Sequence, residues 1–89
     1  MLTDNITTEK QTGLLVSLLA HEYAEYLLEI AEEGTTFGNM RSEAERLIKI
    51  VCQNISSKDA SDLIGTTLKD GKDKGFEAFL KLKSGLIIK

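Results

Sequence analysis

Residues 8–33, TEKQTGLLVSLLAHEYAEYLLEIAEE, decide the fold. The run contains no proline, and its character changes halfway along. Its first half is apolar on nearly every side at Leu14, Leu15, Val16, Leu18, Leu19 and Ala20. Its second half carries a one-sided stripe, Tyr23, Tyr26, Leu27, Ile30 and Ala31, set against Glu22, Glu25, Glu29, Glu32 and Glu33. A helix that is apolar all round must be covered on more than one side, whereas an amphipathic one needs cover only along its stripe. The pattern therefore predicts a long helix that runs through the centre of a bundle or into a subunit interface.

Outward from this run, helix boundaries must be read from glycine and capping residues, because the 89-residue chain has no proline at all. The first helix is expected to start near Thr7 or Thr8 and to stop at Gly34. The turn Gly34-Thr35-Thr36-Phe37-Gly38-Asn39 ends on Asn39, a residue suited to capping a second helix over 40–54. In that helix Met40, Ala44, Leu47, Ile48, Val51 and Ile55 recur at three- and four-residue spacing, and Ser42 with Glu45 offers a capping box for a late start. Ser56, three residues before Asp59, opens a third helix over 57–69 with Ala60, Leu63, Ile64, Thr67 and Leu68 facing inward. Asp70-Gly71-Lys72-Asp73-Lys74-Gly75 is the strongest turn signal in the chain. A fourth helix over 73–84 then buries Phe76, Phe79, Leu80 and Leu82. The last apolar segment, Leu86-Ile87-Ile88, is compatible with helix, strand or tail and is expected to pack on the bundle or on a neighbouring subunit, since each such side chain gains about 1.5–3 kcal/mol on burial. The fold class that follows is all-α, a small antiparallel bundle of three to four helices built around one long N-terminal helix, with residues 1–89 as one domain.

Composition narrows the functional classes. Hydrophobic residues at 42% and charged ones at 28% are near globular averages, which disfavours a disordered or fibrous chain. Ser17, His21 and Glu22 interrupt the best apolar run well short of the roughly 18 residues that span a bilayer. The opening MLTDNITTEK has one basic residue, Lys10, against two acids and so lacks the basic segment that precedes the apolar core of a secretory signal, and a single cysteine cannot form an internal disulfide, so a cytoplasmic protein without membrane contact is expected. The net charge of -3 divides unevenly: residues 1–67 hold eleven acids and five bases, while residues 68–89 hold six lysines and three acids. Such polarity can steer a partner or align subunits.

Several segments approach known chemistry and fall short of it. His21-Glu22-Tyr23-Ala24-Glu25 has the outline of the HExxH zinc motif, but that motif needs two imidazoles one turn apart, and His21 is the only histidine in the chain. Gly65 to Asp73 has the outline of a phosphate-binding loop with one residue too many and an aspartate where the magnesium-binding hydroxyl belongs. Asp70 to Glu77 suggests a calcium loop, yet each register puts lysines or apolar residues at ligand positions. Cys52 has no histidine near it in sequence and reads as a buried, inert thiol. No catalytic residue, metal ligand or cofactor site is assigned, and the chain is read as a non-enzyme.

No motif places the chain in a family. Its length and acidic helical character are similar to those of bacteriocin-immunity proteins, phage-encoded inhibitors and death-fold adaptors, an architectural likeness that does not supply function. The expected function is a non-enzymatic protein–protein interaction module, an adaptor or inhibitor, that self-associates through its N-terminal helix. Its interaction surface is expected at Leu14, Leu15, Leu18, Leu19, Leu86 and Ile87. The alternative is a nucleic-acid or nucleotide binder using Lys69, Lys72, Lys74, Lys81 and Lys83, with Phe76 and Phe79 nearby to help grip a backbone. Against it stand the interleaved acids Asp70, Asp73 and Glu77, the core spacing of both phenylalanines, and a sequence pI near 5.1.

Overall fold

The computed structural model describes residues 7–86, which form four α-helices: α1 (Glu9–Ile30), α2 (Phe37–Cys52), α3 (Ser57–Asp70) and α4 (Lys72–Gly85). The all-α bundle expected from the sequence is the observed architecture. Alone among the helices, α1 packs extensively on all three others. Helix α2 lies along one side of it, and α3 with α4, themselves a packed hairpin, cover the other. The apolar first half of α1 is thus covered from two sides, with Leu14 left exposed.

Side-chain contacts fix the directions. Phe37, at the start of α2, meets His21 with ring centroids 5.3 Å apart, so α2 begins beside the middle of α1 and runs back towards its start. The start of α3 is tied to the start of α1: the Thr7 hydroxyl donates to the Ile55 carbonyl at 2.9 Å, the Gln11 amide donates to the Ser57 carbonyl at 3.1 Å, and the Ser57 hydroxyl donates to Gln11 Oε1 at 3.0 Å. Helix α4 opens beside the second half of α1, where Phe76 and Phe79 lie 5.4 and 5.5 Å from the Tyr23 ring. The helices therefore alternate in direction.

One core results. Leu15, Leu19, Ala20, Tyr23 and Ala24 of α1 meet Ala44, Ile48, Val51 and Cys52 of α2, Ile55, Ala60 and Leu63 around α3, and Phe79 of α4. Ala20 and Ala24, one turn apart and fully buried, allow close helix approach. The Tyr23, Tyr26, Phe76 and Phe79 rings form a contiguous aromatic set on the α1–α4 side.

The helix ends are where sequence and structure part. Helix α1 begins as expected: Thr8 caps it in a full capping box with Gln11, each side chain accepting the other's backbone N–H. It ends at Ile30, with Ala31 already extended, rather than continuing to Gly34. Gly34 contributes instead a left-handed residue, φ 91°, inside the connection. Helix α2 starts three residues early, at Phe37, because the Thr36 hydroxyl accepts from the Asn39 backbone N–H; Asn39 is the capped residue and not the cap. With the start fixed there, Ser42 and Glu45 lie within the helix and Glu45 pairs with Arg41 at 3.4 Å instead of closing a capping box.

Ser56 does cap α3, accepting from the Asp59 N–H at 3.1 Å. The six-residue turn expected at 70–75 is a single residue: Gly71, at φ 102°, ends α3 and begins α4, and Gly75 lies inside α4. Gly75 is buried against Thr67, and a Cβ there would come within 2.9 Å of the Thr67 backbone Cα. Its glycine is thus a packing requirement between α3 and α4. Leu68, expected to face inward, is 66% exposed; the inward face of α3 is carried by Ala60, Leu63 and Thr67, with Ile64 at its margin.

Candidate interaction surface

The residues expected to form an interaction surface divide three ways. Leu15 and Leu19 are fully buried in the chain's own core, which corrects their assignment to an intermolecular surface: α2, α3 and α4 together cover that side of α1. Leu18 and Leu86 are half-buried and pack against the core from its edge. Leu14 is the one that faces solvent, at 42% exposure, while Ile87 falls outside the described residues, as does Ile88.

The larger exposed apolar groups lie elsewhere. Tyr26, Leu28 and Ile30, in the last turns of α1, and Leu68, in the last turn of α3, are all at the end of the bundle where α1 and α3 finish and α2 and α4 begin. Tyr26 and Ile30 continue the inward stripe of α1 by three- and four-residue steps from Leu15, Leu19 and Tyr23. They are nevertheless 40% and 66% exposed, because the stripe runs out beyond what covers it. Tyr26 still touches Phe76, their ring centroids 5.7 Å apart. Leu28 and Phe37, with Glu25 and Glu29, line an open depression of about 390 Å³ beside this end. A second depression, of about 440 Å³, opens at the other end between the start of α1 and the end of α2, lined by Thr7, Glu9, Thr12, Gly13, Lys49 and Gln53.

The charges around the apolar end are separated by element. Helix α1 brings Glu25 and Glu29, and the residues that follow it bring Glu32 and Glu33; no basic residue occupies the last turn of α1. Acids at a helix C-terminus oppose the local dipole and repel one another at i,i+4 spacing. Lys69, Lys72 and Lys74 stand at the α3–α4 corner, interleaved with Asp70 and Asp73, and all five are exposed. Among the described residues the ion pairs are His21–Glu25 at 3.5 Å, Arg41–Glu45 and Arg46–Glu43, and none of them involves Glu29, Glu32, Glu33 or these lysines. Arg46 holds the Glu43 carboxyl below its ordinary range through their hydrogen bonds.

The lysines proposed as an anion site do not converge. Lys74 and Lys81, seven residues apart, share one face of α4 with Glu77 between them, whereas Lys72, two residues before Lys74, falls nearly opposite. Phe79 is buried and Phe76 half-buried in the aromatic set, which turns both towards the core. His21, Glu22 and Glu25 place possible ligand atoms within 4.8 Å of one another on the open side of α1. The His21 ring leans on Phe37 there. Cys52 is buried; burial pushes its thiol up, with the Thr12 hydroxyl pulling the other way, so it is held as the neutral, unreactive thiol that its sequence context suggests. No helix among the described residues is long and apolar enough to cross a membrane. Comparison of the chain with known protein families, curated proteins and solved structures finds no match.

Proposed function

We propose that the chain is a non-enzymatic protein–protein interaction module, an adaptor or inhibitor, that associates through α1. The observation that carries this reading is the overrun of the α1 stripe: Ile30 is on the same face as fully buried Leu15 and Leu19 and is 66% exposed. Apolar side chains grouped at one end and rimmed by charge are the usual composition of a contact surface, whereas singly scattered ones carry no such meaning. Tyr26 adds a broad amphipathic side chain of the kind that anchors interfaces. The contact is thereby centred on the second half of α1, because Leu15 and Leu19 of the first half are taken up by the bundle's own core and only Leu14 among its leucines is exposed.

Light scattering or sedimentation at micromolar concentration tests the reading. Association should raise the mass above the 9.8 kDa of one chain, and Ile30→Glu should return it to that value by placing a charge in an apolar contact. A wild-type mass of 9.8 kDa at every accessible concentration, with no binding to a protein partner, would sink it. The lysine-rich alternative has its own signature, a nucleic-acid complex that weakens steeply as salt rises.

A further inference from the structure

We infer that His21, Glu22 and Glu25, on the open side of α1, form a binding site for one zinc-class divalent cation, held by one imidazole and two carboxylates. Each of the three offers a ligand atom, and those atoms all lie within 4.8 Å of one another. The His21 Nε2 and a Glu25 carboxylate oxygen are 3.5 Å apart. Two ligands at about 2.0–2.1 Å from one tetrahedral zinc stand about 3.4 Å from each other, so this pair already has the spacing of one edge of the coordination shell. Helical geometry supplies it: residues 21 and 25 are one turn apart on one face, and Glu22 stands three residues before Glu25. A change of rotamer at the half-buried Glu22 closes the remaining gap.

The surroundings suit an ion. The His21 ring leans on Phe37, centroids 5.3 Å apart, which limits its freedom and so lowers the ordering cost of binding. Among the described residues the one ion pair that involves any of the three is His21–Glu25, and no lysine or arginine takes up either carboxylate. A protonated His21 can balance one carboxylate, whereas a divalent cation balances both at once. The imidazole selects the class of ion: calcium and magnesium take oxygen ligands, while zinc accepts a mixed nitrogen and carboxylate set. Paired imidazoles are not needed for binding, since Glu25 stands where the hydrolase motif has its second histidine and a carboxylate is itself a zinc ligand. Three protein ligands leave a fourth position open. Glu25 and Phe37 also line the depression of about 390 Å³, which gives room beside the site for water on that position. Cys52, the chain's one thiol, is buried and does not compete.

Zinc chloride titrated into the full chain tests the site by calorimetry, with the ring signals of His21, the only histidine, followed by NMR over the same titration. Wild type should bind one zinc per chain and its His21 signals should move in step, while calcium and magnesium leave them in place. His21→Ala, Glu25→Gln and Glu22→Gln should each weaken binding by at least about tenfold, since even the loss of a group that only orients a ligand costs that much. Glu32→Gln removes an equal charge outside the group and should bind as wild type does. Circular dichroism checks that every variant keeps its helix content. Absence of zinc binding at millimolar metal overturns the proposal, as does wild-type affinity in any of the three ligand variants. One zinc shared by two chains overturns the single-chain ligand set. Equal losses in Glu25→Gln and Glu32→Gln, or calcium bound as tightly as zinc, are the mark of general attraction to an acidic helix and overturn it too.

Discussion

Leu15 and Leu19 in the first half of α1 and Tyr26 and Ile30 in its second half stand on one stripe, yet the first pair is fully buried and Ile30 is 66% exposed. The difference is one of length. Helix α1 has 22 residues while α3 and α4 have 14 each, a difference that corresponds to about 12 Å of helix. Hydrophobic periodicity reports which side of a helix seeks cover, and it is blind to whether the covering helices reach far enough. The all-round apolar first half looked like the surplus surface, but α2 on one side and α3 with α4 on the other absorb most of it, leaving Leu14, and a larger surplus emerges in the half whose stripe looked ordinary.

The sharpest way to break this comparison is to truncate both halves. Leu19→Ala should lower stability by about 2–5 kcal/mol through lost transfer energy and a residual cavity, whereas Ile30→Ala should change it by no more than about 0.5 kcal/mol when the chain is measured as a monomer. Urea denaturation giving the two variants equal midpoints would mean that the ends of α1 are not differently covered. A smaller effect is expected where α3 meets α4. Gly75→Ala gains helix propensity but drives a methyl into the Thr67 backbone, so a net loss of about 1–3 kcal/mol should appear in the same assay. Full recovery by Thr67→Ala, which removes the hydroxyl nearest that methyl and leaves the backbone in place, would contradict a backbone clash.

Capping separates the two ends more gently. Thr8→Ala removes the side-chain acceptor of the capping box at the start of α1 and should cost about 1 kcal/mol, while Thr35→Ala, in the connection beyond its uncovered end, should cost almost nothing. Equal losses would show that the connection after α1 is held more tightly than its exposed side chains imply.

The smallest effect is a pH dependence of the covered region. Burial raises the Cys52 thiol above its ordinary 9.0, and burial first, then Tyr26 and Glu43, raise the Tyr23 hydroxyl above 10.0. Both groups are neutral in the folded chain, so their contribution is complete below the unfolded values and is lost as pH rises through the folded ones. The urea midpoint should therefore decline above about pH 9, and Cys52→Ala should make that decline shallower without abolishing it. A midpoint that is level to pH 11 would place neither group in the core.

Much of the bundle was legible in local chemistry. The helical period from Met40 to Val51, the Thr8 start of α1 and the Ser56 start of α3 each depend on residues within a turn of one another and appear as read, although α2 ends at Cys52 rather than 54. The errors fall where a competing neighbour decides. Asn39 was read as the cap of α2, but Thr36 holds the position because its hydroxyl reaches the Asn39 N–H. Gly75 looked like turn composition because its reason lies on another helix, at Thr67. Leu68 fits an inward spacing from Ile64, but it stands about 100° around α3 from Thr67, which packs on Gly75, and is exposed.

The sequence by itself determined that this chain is helical, where most of its helices lie, and that Leu15, Leu19, Ile48, Val51, Leu63 and Phe79 seek cover, since propensity, capping and periodicity are short-range properties written into neighbouring residues. Only the tertiary structure decided which of those demands the chain meets within itself. Burial is a property of the assembled elements, set by their relative lengths and crossings, and so the exposure of Tyr26, Ile30 and Leu68 had no counterpart in the order of residues along the chain.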